Sequence, residues 1–175
     1  MEVVKQDSEK QFEVFNSFAQ QTNNFCWTLD KPESTMTLGS TLTKKFTDLG
    51  ILLLNGPLGA GKTTLVKGIA KSLGINEPIT SPTFPLSQHY LSGFRPLVHI
   101  DLYRIDECSS ANAFFLQEEE EAKNLGALVV VEWPERLSLQ MYDAWKGKME
   151  YLPNNQGRFF QLISPTSQDK SISTS

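Results

Sequence analysis

The apolar run "ILLLN" at residues 51–55 is followed at once by "GPLGAGKTT", Gly56 to Thr64, and then by a helical pattern. Apolar residues without polar alternation read as a strand covered on both faces. Beyond the glycines, Leu65, Ile69 and Leu73 recur at helical spacing, and Gly74 is placed to end that helix in a left-handed turn. A strand, a glycine-rich loop and a helix in immediate succession restrict the chain to α/β arrangements in which the loop turns tightly at the end of a buried strand.

Gly56-x-x-x-x-Gly61-Lys62-Thr63 fits the Walker A pattern in the context that pattern requires. The glycines let successive N–H groups of the Gly56, Leu58, Gly59, Ala60 and Gly61 stretch turn inward around a phosphate, and the helix opening at Lys62 aims the positive end of its dipole at the same point. Lys62 is then expected to carry its charge to the β and γ phosphates from a solvent-filled cleft, Thr63 to offer its hydroxyl to Mg²⁺, and Thr64 to reach the α-phosphate. A glycine-rich turn with an exposed lysine is the plainer alternative, and the flanking strand and helix speak against it.

A phosphate cradle binds without hydrolysing, so carboxylates at strand ends are the next requirement. Asp101 closes "LVHI" and Glu132 closes "ALVVV", each after apolar residues that have no other use for a charge. Either alone could be a surface acid ending a strand; beside Gly56 to Thr64 both are candidates for catalysis, to hold Mg²⁺ or to position water. "ITSPTFPL" sets Ser81 and Thr83 among prolines, a polar connector whose hydroxyls could sense a γ-phosphate.

The rest of the pattern completes the fold. In "DKPESTMTLGSTLTKKFTDLG", Ser34 is placed to cap a helix with Leu38, Leu42, Phe46 and Leu49 on one face, and Gly50 to end it in a left-handed turn. "PLSQHYL" and "LVHIDLY" read as strands joined through "SGFRP", "GALVVVEWP" as a buried strand stopped by Pro134, and "MEYLPNNQGRFFQLI" as a hairpin. These predict an α/β sandwich, its central sheet mainly parallel with an antiparallel edge hairpin. Residues 1–30 form an N-terminal extension, in which Phe12, Phe15 and Phe18 suit a short amphipathic helix. Residues 31–164 are the domain, and residues 165–175, rich in Ser, Thr and Gln, are expected to be a disordered tail.

With 175 residues, 39% hydrophobic, 21% charged and a net charge of −4, the composition suits one domain and excludes a surface that is basic all over. Cys26 and Cys108 match no metal-ligand spacing and read as free thiols. No apolar run approaches the roughly 18 residues of a membrane helix. The first residues carry acids in place of a signal sequence, so a cytoplasmic location is expected.

The order "GPLGAGKTT", "SPTFPL", "HIDLYR", "VEWPER" resembles the bacterial TsaE family, formerly called YjeE, over about residues 33–163. The resemblance implies a P-loop NTPase-like three-layer sandwich and an ATPase with ATP and Mg²⁺, working in a cytoplasmic complex with TsaB and TsaD on the threonylcarbamoyladenosine (t6A) modification of tRNA at the adenosine next to the anticodon, any contact with tRNA being indirect or shared. It assigns phosphate and metal to Lys62 and Thr63, the strand-end acid to Asp101, and the metal-linked acid to Glu132. Trp133 and Glu135 fall near the nucleoside or its rim, and Pro32, Ser34 and Thr35 match, more loosely, the stretch beside the adenine. His99 and Tyr103 match family letters too, and His99, alternating with Asp101 on its strand, reads equally as a packed core imidazole.

Two departures stand out: the N-terminal extension, and "ECSSANAFFLQEEEEAKN" after Arg104, whose acidic run Glu118 to Glu121 reads as a solvated helix face or frayed end. A P-loop small-molecule kinase would need an arginine-bearing lid, and only Arg95 and Arg104 lie between the loop and Glu132. A nucleotide-gated binding module that barely hydrolyses is the third reading, against which Lys62, Thr63, Asp101 and Glu132 all stand.

Overall fold

A computed structural model describes residues 24–165 of the chain. Its elements in order are β1 (Asn24–Leu29), α1 (Pro32–Lys45), β2 (Ile51–Asn55), α2 (Lys62–Ser72), β3 (Ser87–Tyr90), β4 (Leu97–Asp101), α3 (Cys108–Leu125), β5 (Leu128–Glu132), β6 (Trp145–Tyr151) and β7 (Arg158–Ile163), with single 3-10 turns at Pro134–Arg136 and Pro153–Asn155. The strands form one seven-stranded sheet in the order β1-β7-β6-β2-β5-β4-β3. The neighbours β6, β2, β5 and β4 run parallel, while β7 and β3 run against their partners. This is the mainly parallel sheet with an antiparallel hairpin that the apolar runs predict.

Helices cover both faces. Leu38 and Leu42 of α1 and Leu65, Val66 and Ile69 of α2 pack on Leu52, Leu54, Leu97, Leu128 and Val130; Phe115 and Ala122 of α3 pack on Ile51, Leu53, Val98, Ile100, Val129 and Val131. Burying each such leucine, isoleucine or valine is worth about 1.5–3 kcal/mol relative to leaving it exposed.

The two helices on the first face touch backbone to backbone. A Cβ at Gly39 would stand 2.2 Å from the carbonyl oxygen of Leu65, and one at Gly68 2.0 Å from that of Met36. Ser40 Oγ closes the crossing by donating to the Gly68 carbonyl at 2.8 Å. The close crossing sets the first turn of α1 beside the first turn of α2: a Cβ on Gly61 would lie 3.9 Å from the Thr35 methyl. Both helices therefore begin at the sheet edge where β2, β4 and β5 end.

Several sequence expectations are corrected. The sheet includes β1, so the domain boundary drawn at residue 30 cuts off an edge strand; with only Leu29 fully buried, β1 gives a weak apolar signal. Ser34 does not cap α1. Lys31 is the N-cap residue with Pro32 opening the helix, and the Ser34 hydroxyl, one turn in, donates back to Asp30 Oδ1 at 2.5 Å. Gly50 is not left-handed, because Phe46 ends the helix four residues earlier, whereas Gly74 is, with φ +78°. The acidic run is neither frayed nor wholly solvated. It continues α3, Glu118 is buried with its carboxylate 2.7 Å from His89 Nε2, and Glu119 pairs with Lys123 one turn on. The suggested helix around Phe12 to Phe18 and the tail beyond residue 165 lie outside the described residues.

Candidate phosphate and metal site

The loop from Gly56 to Gly61 leaves β2 and enters α2 with glycines at φ +150°, +74° and +106° for Gly56, Gly59 and Gly61, values that side chains rarely tolerate. Its carbonyls are held from outside. Lys62 Nζ donates to Gly56 (2.7 Å) and Pro57 (3.2 Å), Tyr151 Oη to Leu58 (2.7 Å), and Arg158 Nε to Ala60 (3.1 Å). The N–H groups of Leu58, Gly59 and Gly61 carry no bond to another described residue. With acceptors tied back and donors left over at a helix N-terminus, the loop has the polarity of an anion cradle.

Lys62 lies deeper than the sequence suggested. It is 4% exposed and covered by the Trp133 ring, whose centroid is 4.2 Å from Nζ, so it is not in a solvent-filled cleft. Burial pushes its pKa below the ordinary lysine value, with Glu132, Glu135 and Asp101 pulling the other way. Trp133 can cover it because its backbone is left-handed, φ +61°, which turns the chain sharply after β5.

Asp101 and Glu132 end neighbouring strands in direct register. Asp101 Oδ2 accepts the hydroxyls of Ser81 (2.6 Å) and Thr83 (3.0 Å), and Oδ1 accepts the Tyr103 N–H (3.0 Å). Glu132 Oε1 accepts the Thr63 hydroxyl at 2.8 Å and lies 2.9 Å from His99 Nε2. Among the described residues no three His, Cys, Asp or Glu side chains converge as a metal cage. Thr63 and Glu132 fit instead a hard cation such as Mg²⁺, which keeps waters and takes much of its coordination from a bound phosphate.

On the other side of the loop lies a cavity of about 300 Å³ lined by Pro32, Thr35, Gly59, Ala60, Gly61 and Thr64 together with Asp30, Lys31 and Arg158. Pro32 and Thr35 thus line the cavity beside the loop, while Ser34 is not in the lining. Trp133 and Glu135 sit elsewhere: Trp133 over Lys62, and Glu135 accepting the Asn55 side-chain N–H at 2.9 Å. The structure does not bring these two together with the Pro32–Thr35 cavity.

Sequence reasoning missed Arg158 and Tyr151, which stack at 4.3 Å and grip the loop from the β6–β7 hairpin. They are close to a hundred residues from the carbonyls they hold, and no spacing in the sequence ties them there. It passed over His99 as packing. Of the two arginines considered for a lid, Arg95 reaches the Gly126 carbonyl at the far end of α3, and the Arg104 guanidinium lies 4.0 Å from the centre of the exposed Phe84 ring.

Residues 29–158 match the model of the family described as "Threonylcarbamoyl adenosine biosynthesis protein TsaE". A protein of Nostoc sp. named tRNA threonylcarbamoyladenosine biosynthesis protein TsaE is 47% identical over 107 residues, 60% of this chain and 65% of that protein. One of the same name from Mycobacterium bovis is 42% identical over 119 residues, 63% of this chain and 69% of that protein. The match thus spans about two thirds of the length of these relatives, slightly less for the Nostoc protein. The crystal structure of Bacillus subtilis YdiB is similar with a TM-score of 0.60 at 27% identity, over 82% of this chain and 86% of that one.

Proposed function

This chain belongs to the TsaE family, and from that premise we propose that it is a Mg²⁺-dependent ATPase serving the threonylcarbamoyladenosine modification of tRNA, in complex with TsaB and TsaD. The observation that carries the ATPase reading is the contact of the Thr63 hydroxyl with Glu132 Oε1 at 2.8 Å, one residue from a lysine held inside a glycine loop. A loop that only turned the chain would have no need to join its first helical hydroxyl to an acid 69 residues away.

In this reading the N–H groups of Leu58, Gly59 and Gly61 and the start of α2 bind the phosphate chain, and Lys62 exchanges its two carbonyl acceptors for β and γ oxygens. Thr63 and Glu132 hold the metal and its waters, whose contribution is to offset charge on the phosphoryl oxygens. Asp101, fixed by Ser81 and Thr83, keeps a second carboxylate at the same strand edge, where it can orient water and report on the connector's position. The cavity beside Pro32 and Thr35 takes the nucleoside, with Lys31 and Arg158 at its wall. Trp133 covers Lys62 and shields it from solvent.

Among the described residues nothing closes fully over that edge. Leu58 and Phe84 are 69% and 76% exposed, and Arg104 is stacked on Phe84 of the connector. Hydrolysis by the isolated chain is therefore slow, and a partner covering the edge accelerates it; a missing arginine finger alone is worth about 10³ or more in rate. Single-turnover ATP hydrolysis, measured with and without purified TsaB and TsaD, tests this. Acceleration by the partners supports the proposal. Equal rates would leave a self-sufficient ATPase or a small-molecule kinase, and no turnover in either case would leave a nucleotide-gated binding module.

A further inference from the structure

Among the groups that the proposed mechanism does not use, His99 is the most enclosed. It is 0% exposed in the middle of β4, and by strand alternation it shares a face with Leu97 and Asp101. Its Nε2 lies 2.9 Å from Glu132 Oε1, and its Nδ1 has no hydrogen-bond partner among the described residues. A carboxylate offers only acceptors, so Nε2 carries a proton and donates it to Oε1.

An unpaired buried ring nitrogen is a cost that an apolar side chain of similar volume would not incur. Packing alone therefore does not explain an imidazole here; its bond to Glu132 does. Oε1 receives two donors, Thr63 from α2 and His99 from β4, and Oε2 has no partner among the described residues. Exchanging the two oxygens by rotation would break both bonds, so the carboxylate is held with one oxygen tethered and the other available.

We propose that His99 is a positioning residue: by donating from Nε2 to Oε1 it fixes Glu132 so that Oε2 stays available to a divalent cation or to that cation's water. This rests on the reading of Glu132 as the metal-linked acid. Neighbours that orient metal-binding groups typically contribute 10–100-fold in metal affinity.

The test uses the full chain, Mg²⁺ and a fluorescent ATP analogue, with binding as the readout. His99→Met removes the donor at similar volume, and His99→Gln restores an N–H near the position of Nε2. His99→Met is expected to melt no lower than the wild type, to bind the analogue unchanged in EDTA, and to need about tenfold or more Mg²⁺ for half-saturation, with His99→Gln returning to within about threefold. An unchanged Mg²⁺ titration in His99→Met would overturn the proposal, as would equal impairment of both variants accompanied by lower melting temperatures. A second readout does not depend on nucleotide: ¹⁵N NMR of the wild type should show His99 protonated at Nε2 and protected from exchange there, with protection lost in Glu132→Ala. A ring protonated only at Nδ1 would overturn it. A wild type that binds no analogue would count against the nucleotide reading, and the NMR result would still decide the hydrogen bond.

Discussion

The two sides of the glycine loop are built in opposite ways. On the lysine side, Lys62, Asp101 and Glu132 are 3–4% exposed, come from the ends of central elements, and have their polar atoms tied to Thr63, His99, Ser81, Thr83 and loop carbonyls. On the cavity side, Asp30, Lys31 and Pro32 are exposed, and the wall is completed by Arg158 from the sheet's antiparallel margin. The buried side cannot rearrange without leaving charges unpaired, so each residue there carries a large share of the chemistry. The exposed side can adjust, so its contributions are small and spread over many groups.

The sharpest way to break this contrast is Lys62→Ala. It should lower ATP turnover in the partner complex by about 10²–10³, the scale for removing one preorganised donor from developing charge. Without nucleotide the fold should not suffer. Because burial holds the lysine pKa below its ordinary 10.5, the unfolded chain binds more protons between the depressed value and 10.5, and stability rises with pH across that window. Lys62→Met removes that rise, and thermal melts of the two apo proteins as a function of pH check it.

Next is Glu132→Ala, which should raise the Mg²⁺ concentration required for nucleotide binding about 10–100-fold while leaving affinity in EDTA nearly unchanged. A Mg²⁺ titration identical to wild type would remove Glu132 from the metal's surroundings.

Gly68→Ala attacks the cavity side through its support. The added methyl would meet the Met36 carbonyl of α1, so the helices must separate at a cost of about 1–3 kcal/mol in denaturant unfolding, and nucleotide affinity should fall with the displacement of Pro32 and Thr35. The smallest effect is expected from Arg158→Ala. Losing its bond to the Ala60 carbonyl is worth about 0.5–1.5 kcal/mol, a decrease in nucleotide affinity of roughly 2–10-fold by equilibrium titration.

The same contrast governs what could be read from the sequence. The lysine side was legible because its parts are local or periodic: a loop of fixed spacing, two unalternated apolar runs each closed by an acid, and a connector with hydroxyls among prolines. Its depth was not legible, since the burial of Lys62 depends on the left-handed turn at Trp133. The cavity side was largely illegible. Edge strand β1 mixes half-buried and exposed positions, and Tyr151 and Arg158 reach the loop only through the pairing of β6 with both β2 and β7. Glu118 looked like one of four equivalent acids until the packing of α3 against β3 gave it His89. His99 was indistinguishable from a core residue because its partner, Glu132, lies on another strand.

The central claim is that the glycine loop with Lys62 binds the phosphates of ATP together with Mg²⁺, and the most direct measurement is calorimetric titration of ATP into the purified chain, wild type and Lys62→Ala, with Mg²⁺ and with EDTA. The account predicts saturable one-to-one binding by the wild type that tightens with Mg²⁺, and binding about 10² or more weaker in a folded Lys62→Ala chain. Equal affinity in the two proteins, or no saturable binding by the wild type, would contradict it.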